Sequence, residues 1–244
     1  DRIDSVICHG QTVWHAPDDR LSWQLFDPWP IVRVLKLPVC YDLRQADLVA
    51  GGQGAPITPA ADRVLFGHLG DRPLIVNLGG ICNVTLLAEP PGGEDVCPCN
   101  LLLDGIVRRL DPPHRFDAEG RRTQAGRVDD DLLGAMAGHP WFAQPRPRTA
   151  GREQFGDRWI DTLLRDRRVE AADAGATAAA MIARKVAEAA EQGNADRILL
   201  AGGGARNRGL VERIGESAPP GVEVSTSAAF GVPVEAREAM SMAV

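Results

Sequence analysis

The chain has 244 residues, of which 44% are hydrophobic and 25% charged, with a formal net charge of −6 and a pI near 5.4. That is the make-up of a globular protein of one large or two small domains, and the acidic balance argues against a nucleic-acid or anionic-membrane partner, which favours a basic face. No apolar run approaches the length of a membrane span, no signal-peptide pattern opens the chain, and five cysteines in a chain this long point to a reducing cytoplasm rather than a disulfide framework.

In chain order, short β-branched or apolar runs predict strands at 5–8, 38–41, 74–78, 83–88, 196–201 and 222–226. Helical patterns fall at 99–110, 129–138, 157–166, 170–192, 207–215 and 235–244. The clearest is Ala171 to Gln192, rich in Ala with Lys, Arg and Glu. Pro90-Pro91-Gly92-Gly93 reads as a turn, and Pro140 to Gly151, with three prolines, as a connection between lobes. The alternation of strands and helices predicts an α/β protein. The chain enters a strand almost at once from Asp1, and its last helix has no stop signal, so it reads as cut at both ends.

Six glycine-rich or polar strings stand out: His9-Gly10-Gln11-Thr12, Asp42-Leu43-Arg44-Gln45-Ala46-Asp47, Gly51-Gly52-Gln53-Gly54-Ala55-Pro56, Asn77-Leu78-Gly79-Gly80-Ile81-Cys82-Asn83, Gly151-Arg152-Glu153 and Gly202-Gly203-Gly204-Ala205-Arg206-Asn207. Glycine beside a polar side chain lets backbone N–H groups approach a ligand that the side chain orients. Gly202-Gly203-Gly204 lies between a strand and a helix, a junction that suits a nucleotide or is a plain tight turn. It is neither a Walker loop nor a dinucleotide fingerprint, since Asn207 stands where a third glycine belongs. Asn77-Leu78-Gly79-Gly80 reads as a hairpin with a Gly-Gly turn. Asp42 and Arg44 read equally as a structural ion pair. Cys97 and Cys99 have no second pair or nearby histidine, so a zinc site is not expected.

The ordered set resembles the anhydro-N-acetylmuramic acid kinases, sugar kinases of the actin, hexokinase and Hsp70-like superfamily, from Val6 to the end of the chain. The resemblance implies an actin-like ATPase (ribonuclease H-like) two-lobed α/β fold with an incomplete N-terminal lobe, divided at 1–92 and 93–244. It implies ATP and Mg2+ as cofactors, an amino sugar as substrate, a cytoplasmic role in peptidoglycan recycling, and a homodimer as a possible assembly. His9, Gln11, Thr12, Asp42, Arg44, Gly52, Gln53 and Glu238 are placed on the sugar side by the resemblance. Asn77, Gly79, Gly80, Gly202, Gly203, Gly204 and Asn207 are placed on the nucleotide side.

Asp95-Val96-Cys97-Pro98-Cys99-Asn100 answers the family's Asp-Thr-Gly-Pro-x-Asn at Asp95, Pro98 and Asn100. By resemblance, Asp95 is the general base on the water that attacks the sugar. Read alone, it is a helix N-terminal acid. Cys97 departs from the family glycine, and a Cβ there strains the turn if positive φ is required. The family's opening Gly-Thr-Ser-x-Asp-Gly phosphate loop has no counterpart before His9. An ATP-dependent kinase that opens the 1,6-anhydro ring and phosphorylates O6 is therefore expected. The alternative is a catalytically inactive truncated homologue that binds sugar or nucleotide, or serves only in interactions.

Overall fold

The structure, a computed structural model, describes residues 2–55, 57–151 and 153–244. Pro56 of the Gly51–Pro56 string, Arg152 of the Gly151–Glu153 string and the opening Asp1 lie outside the described residues. The chain runs through β1 (Val6–Ile7), β2 (Gln11–Ala16), β3 (Leu21–Leu25), α1 (Trp29–Leu35), β4 (Val39–Cys40), α2 (Leu43–Val49) and α3 (Thr58–Phe66). It continues through β5 (Pro73–Leu78), β6 (Ile81–Leu86), β7 (Gly92–Pro98), α4 (Asn100–Leu110), α5 (Arg121–Ala125), α6 (Asp130–Ala137) and α7 (Asp157–Leu164). It ends with α8 (Ala171–Gln192), β8 (Arg197–Ala201), α9 (Arg208–Ser217), β9 (Glu223–Thr226) and α10 (Arg237–Ala243).

The organising element is a five-stranded sheet in the order β7-β6-β5-β8-β9. Its first three strands form an antiparallel meander, and β8 and β9 join β5 in parallel. The class is the expected α/β. The central strands are apolar because both faces are covered: Leu74, Ile75, Val76, Leu78, Ile198, Leu199 and Leu200 are all buried. One face packs on α8, whose small residues are buried nearly all round, from Ala174 through Ala179. Alanine and glycine there let neighbours come close; the backbone at Gly126 lies so near Ala172 that a Cβ would collide with its carbonyl. The other face holds a smaller cluster of Phe66, Ile75, Leu87, Leu199 and Val232.

Every helix expected from the sequence is present, and α8 has the bounds read from it. Three strands were not expected. β2 and β3 form an antiparallel hairpin that leaves Val13, Trp14, Leu21, Trp23 and Leu25 exposed and buries polar Ser22 and Gln24 instead, so no apolar buried face marked it in the sequence. β7 runs through the segment read as a turn before α4. Cys97 is an in-register strand partner of Cys82 and is fully buried, with no positive φ among the non-glycine exceptions at that position. The strain expected from a Cβ at Cys97 is therefore not there. The register shifts next to it: Cys82 pairs with Cys97 and Asn83 with Asp95, which leaves Val96 as the extra residue of a bulge on β7.

Candidate active site

Strand register builds the floor of a cleft. Asn77 on β5 faces Asn83 on β6, and Asn83 faces Asp95 on β7. Side chains alternate along a strand, so Thr85 and Gly93, paired two residues away, share that face. These five residues line a hollow of about 350 Å3 together with Arg44, Ile57, Thr58, Thr149, Arg237 and Glu238. Asp95, Arg44, Glu238 and Asn77, which lie far apart in sequence, thus meet in one place.

Asp95 is half-buried on the edge strand of the sheet and is fixed from outside it. Its N–H donates to the Arg148 carbonyl at 2.9 Å, and its carboxylate accepts the Ala150 N–H at 2.8 Å. The Pro140–Gly151 segment therefore runs beside β7 as a wall of the site, anchored by buried Trp141. Burial pushes the Asp95 carboxyl above the usual carboxylate range; the Ala150 N–H opposes this, and the charge of neighbouring Glu94 adds to it. Glu94 itself turns to Arg146, whose Nε donates to it at 2.8 Å.

Arg44 does not pair with Asp42. Its Nε donates to His9 Nε2 at 2.9 Å and its Nη1 to the Gly54 carbonyl at 2.8 Å. Both acceptors are neutral. Since His9 Nε2 accepts, the ring proton sits on Nδ1, which lies 2.7 Å from the Gly10 carbonyl. Burial lowers the Arg44 guanidinium and the charge of Glu238 raises it. The cleft thus has a cation held by neutral groups, a ready partner for an anionic substituent.

The remaining sugar-side expectations lie behind this front row. Asp42 is a left-handed residue (φ 62°) at the start of α2. Gly52 and Gln53 are exposed in a loop tied down by Asp47, whose carboxylate accepts the Gly54 N–H at 2.7 Å and fills the space a Cβ on Gly52 would need. Gln11 is exposed on β2, and the Thr12 hydroxyl meets Gln24 Nε2 at 3.4 Å. Among the described residues, none of these five lines the hollow.

A second hollow, about 810 Å3, opens beside the first and is lined by Gly203, Gly204, Asn207, Asn100, Asp104, Phe116, Arg206 and Glu235, among others. It sits at the strand–glycine–helix junction between β8 and α9. The three glycines differ in kind. Gly202 has φ +84°, and a Cβ there would come within 2.6 Å of Asn77 Oδ1; at Gly204 it would meet Leu78 Cβ at 2.7 Å. Both are needed for the close approach of this loop to the end of β5. Gly203 is exposed, with only Asn100 Nδ2 near its missing Cβ at 3.9 Å, so it alone is free to face a ligand.

Asn207 caps α9, its Oδ1 accepting the Leu210 N–H at 3.0 Å. The Gly79-Gly80 turn of the β5–β6 hairpin presents carbonyls to the start of α4, accepting N–H groups of Cys99, Asn100 and Leu101 at 2.9–3.1 Å. Neither glycine lines either hollow among the described residues. Asn77 lines the first hollow and packs close to Gly202, which itself lines neither hollow among the described residues. Sequence reasoning missed Asn83, Thr85 and Thr58 in the first hollow and Asn100 and Asp104 in the second as site residues. Asn83 closed the string that began at Asn77, and strand alternation from it reaches Thr85.

The family model described as anhydro-N-acetylmuramic acid kinase matches residues 1–244. The anhydro-N-acetylmuramic acid kinase of Xanthomonas oryzae pv. oryzae (strain MAFF 311018) is 39% identical over 248 residues, covering 99% of this chain and 65% of that protein. That of Streptomyces coelicolor (strain ATCC BAA-471 / A3(2) / M145) is 40% identical over 247 residues, covering 98% and 62%. The chain thus spans somewhat under two thirds of the length of the curated relatives it matches. Among solved structures, the activator of the 2-hydroxyisocaproyl-CoA dehydratase from Clostridium difficile with bound ADPNP aligns at TM-score 0.47 and 13% identity over 77% of this chain and 63% of that one. A ROK family glucokinase from Streptomyces griseus in complex with glucose and AMPPNP aligns at TM-score 0.42 and 14% identity, over 95% and 75%.

Proposed function

Because the chain belongs to the anhydro-N-acetylmuramic acid kinase family, we propose that it carries the sugar cleft and the adenosine side of an ATP-dependent kinase that opens 1,6-anhydro-N-acetylmuramic acid by hydrolysis and phosphorylates its O6. The observation that carries this reading is the meeting of Asp95, Asn77, Arg44 and Glu238 in one hollow beside the Gly203 pocket.

In this reading the Asp95 carboxylate takes a proton from water as the water oxygen bonds to the anomeric carbon. The bond from that carbon to O6 breaks, and O6 receives the γ-phosphoryl group of ATP. A carboxylate that burial raises is, in its ionised form, a competent base for this step. Arg44, held by His9 and Gly54, orients the lactyl carboxylate, and Glu238 and Asn77 bind sugar hydroxyls or the acetamido group. The larger hollow is of the size and mixed polarity that suits adenosine, with the Gly203 N–H at its wall.

Mg2+ would be held chiefly by the ATP phosphate oxygens, with Glu238 as a hard oxygen donor on the cleft and Asp95 kept as the base. When bound, it balances phosphate charge during transfer. The division at residues 1–92 and 93–244, the cytoplasmic role in peptidoglycan recycling and a homodimeric assembly belong to the same proposal. No helix among the described residues is long and apolar enough to cross a membrane.

The test is ADP release coupled to a reporter, with ATP, Mg2+ and the anhydro sugar, alongside detection of the 6-phosphate product. Turnover that needs all three and yields that product upholds the reading. ADP release indifferent to the sugar, or no sugar binding at all, overturns it.

A further inference from the structure

Asp62 on α3 is fully buried and is paired with Arg237 on α10, which is 2% exposed and 175 residues away in sequence. Arg237 Nε donates to one carboxylate oxygen at 2.8 Å, and a second guanidinium nitrogen donates to the other. The Ser241 hydroxyl, one turn further along α10, lies 3.4 Å from the same carboxylate, and Thr85 of β6 stands near enough to ease the carboxylate's burial. One carboxylate therefore ties α3 to α10, with β6 beside it. Each of these elements also gives the first hollow a wall: Thr58 opens α3, Thr85 lies on β6, and Glu238 and Met242 lie on α10.

A buried ion pair is a poor adhesive. Desolvation offsets much of its attraction, and apolar side chains of the same volume hold helices together as well or better. What a forked guanidinium–carboxylate pair supplies is a fixed relative orientation. Glu238 directly follows Arg237, and its charge acts on Arg44 across the cleft. We propose that Asp62 is a positioning residue, which by gripping Arg237 and Ser241 sets α10 so that Glu238 faces Arg44. The identity of the cleft's ligand rests on the sugar-kinase reading; the clamp itself does not.

The experiment compares wild type, Asp62→Asn and Leu163→Ala, the last a buried change on α7 at a residue that lines neither hollow. Amide hydrogen exchange is followed without ligand, and affinities for the anhydro sugar and for AMPPNP are measured separately by calorimetry. Asp62→Asn is expected to speed exchange in α10 by about tenfold while α8 keeps its protection. It is also expected to weaken sugar binding by about tenfold with nucleotide binding unchanged within about twofold. Leu163→Ala should show neither selective effect.

Uniform loosening, or proportionate loss of both ligands, or the same pattern in Leu163→Ala, would reduce Asp62 to ordinary structure and overturn the proposal. Should wild type bind no sugar, the kinase reading fails, while selective exchange in α10 still upholds the clamp and uniform exchange still refutes it. If Asp62→Asn does not fold, Arg237→Lys, which keeps the charge and loses the fork, is judged by the same exchange pattern.

Discussion

Asn83 and Asp95 are direct partners across the β6–β7 ladder, so the proposed base stands on sheet rather than on a loop. Its position is set by backbone pairing on one side and by the Arg148 and Ala150 bonds on the other.

This rigidity sharpens what Asp95 should do. Asp95→Asn keeps the shape and loses the basic oxygen, so turnover should fall by about 10²–10⁴-fold, the usual worth of a general base. In wild type the base works only when ionised. Because burial raises its carboxyl, activity should decline as pH falls through a value above the ordinary carboxylate range of about 4. A pH profile of kcat/KM for ADP release checks both; an acid limb unchanged in the residual activity of Asp95→Asn would assign it to another group.

Arg44 is a cation of the proposed sugar cleft, and its two visible bonds go to neutral acceptors. Arg44→Met should weaken sugar binding by about 1.5–3 kcal/mol, the worth of a hydrogen bond to a charged group, and leave nucleotide binding alone. His9→Ala removes only one support of the guanidinium and should cost less. Calorimetry with sugar and nucleotide in turn gives the comparison. Equal losses for both ligands would mean that Arg44 holds the fold rather than the substrate.

Much of the fold was legible from pattern. The long alanine-rich α8 and the apolar strands β5 and β8 are marked by composition, and the Asn77–Gly80 turn by its glycines. β7 was not, because Gly92-Gly93-Glu94-Asp95 has little strand propensity; it is extended because β6 pairs with it. The β2–β3 hairpin inverts the usual alternation, burying Ser22 and Gln24 and exposing Leu21, Trp23 and Leu25. The site was legible as strings through family resemblance, which also brought Arg44, Asp95 and Glu238 to one cleft; that most of the other residues of the strings lie behind the hollows was not. Gly79, Gly80, Gly202, Gly204 and Asn207 serve caps and close packing, roles set by neighbours distant in sequence. The Asp62–Arg237 pair spans most of the chain, and no local pattern signals it.

Cys97 gives a direct test of the strand against the turn. Were it a strained turn residue, Cys97→Gly would relax the site and raise activity. In a buried strand position paired with Cys82, glycine adds chain entropy to the unfolded state and leaves a small void. The substitution should destabilise the protein by about 1–3 kcal/mol and give no gain in turnover. Thermal unfolding together with the coupled assay decides it; a higher melting temperature or faster turnover in Cys97→Gly would restore the turn.

The three glycines after β8 should part company under substitution by alanine. At Gly202 the new methyl meets Asn77 Oδ1 and the Leu78 backbone at 2.6–3.0 Å with φ at +84°, and at Gly204 it meets Leu78 at 2.7–2.9 Å. Neither set of backbone atoms can step aside cheaply, so both variants should lose about 1–3 kcal/mol of stability. Gly203→Ala has room, so its stability should stay within about 0.5 kcal/mol of wild type. Its methyl points to the hollow beside Asn100, however, and there it should obstruct a nucleotide. Unfolding curves paired with AMPPNP titrations separate the two effects. A Gly203→Ala protein that is stable and binds AMPPNP like wild type would remove Gly203 from the nucleotide site.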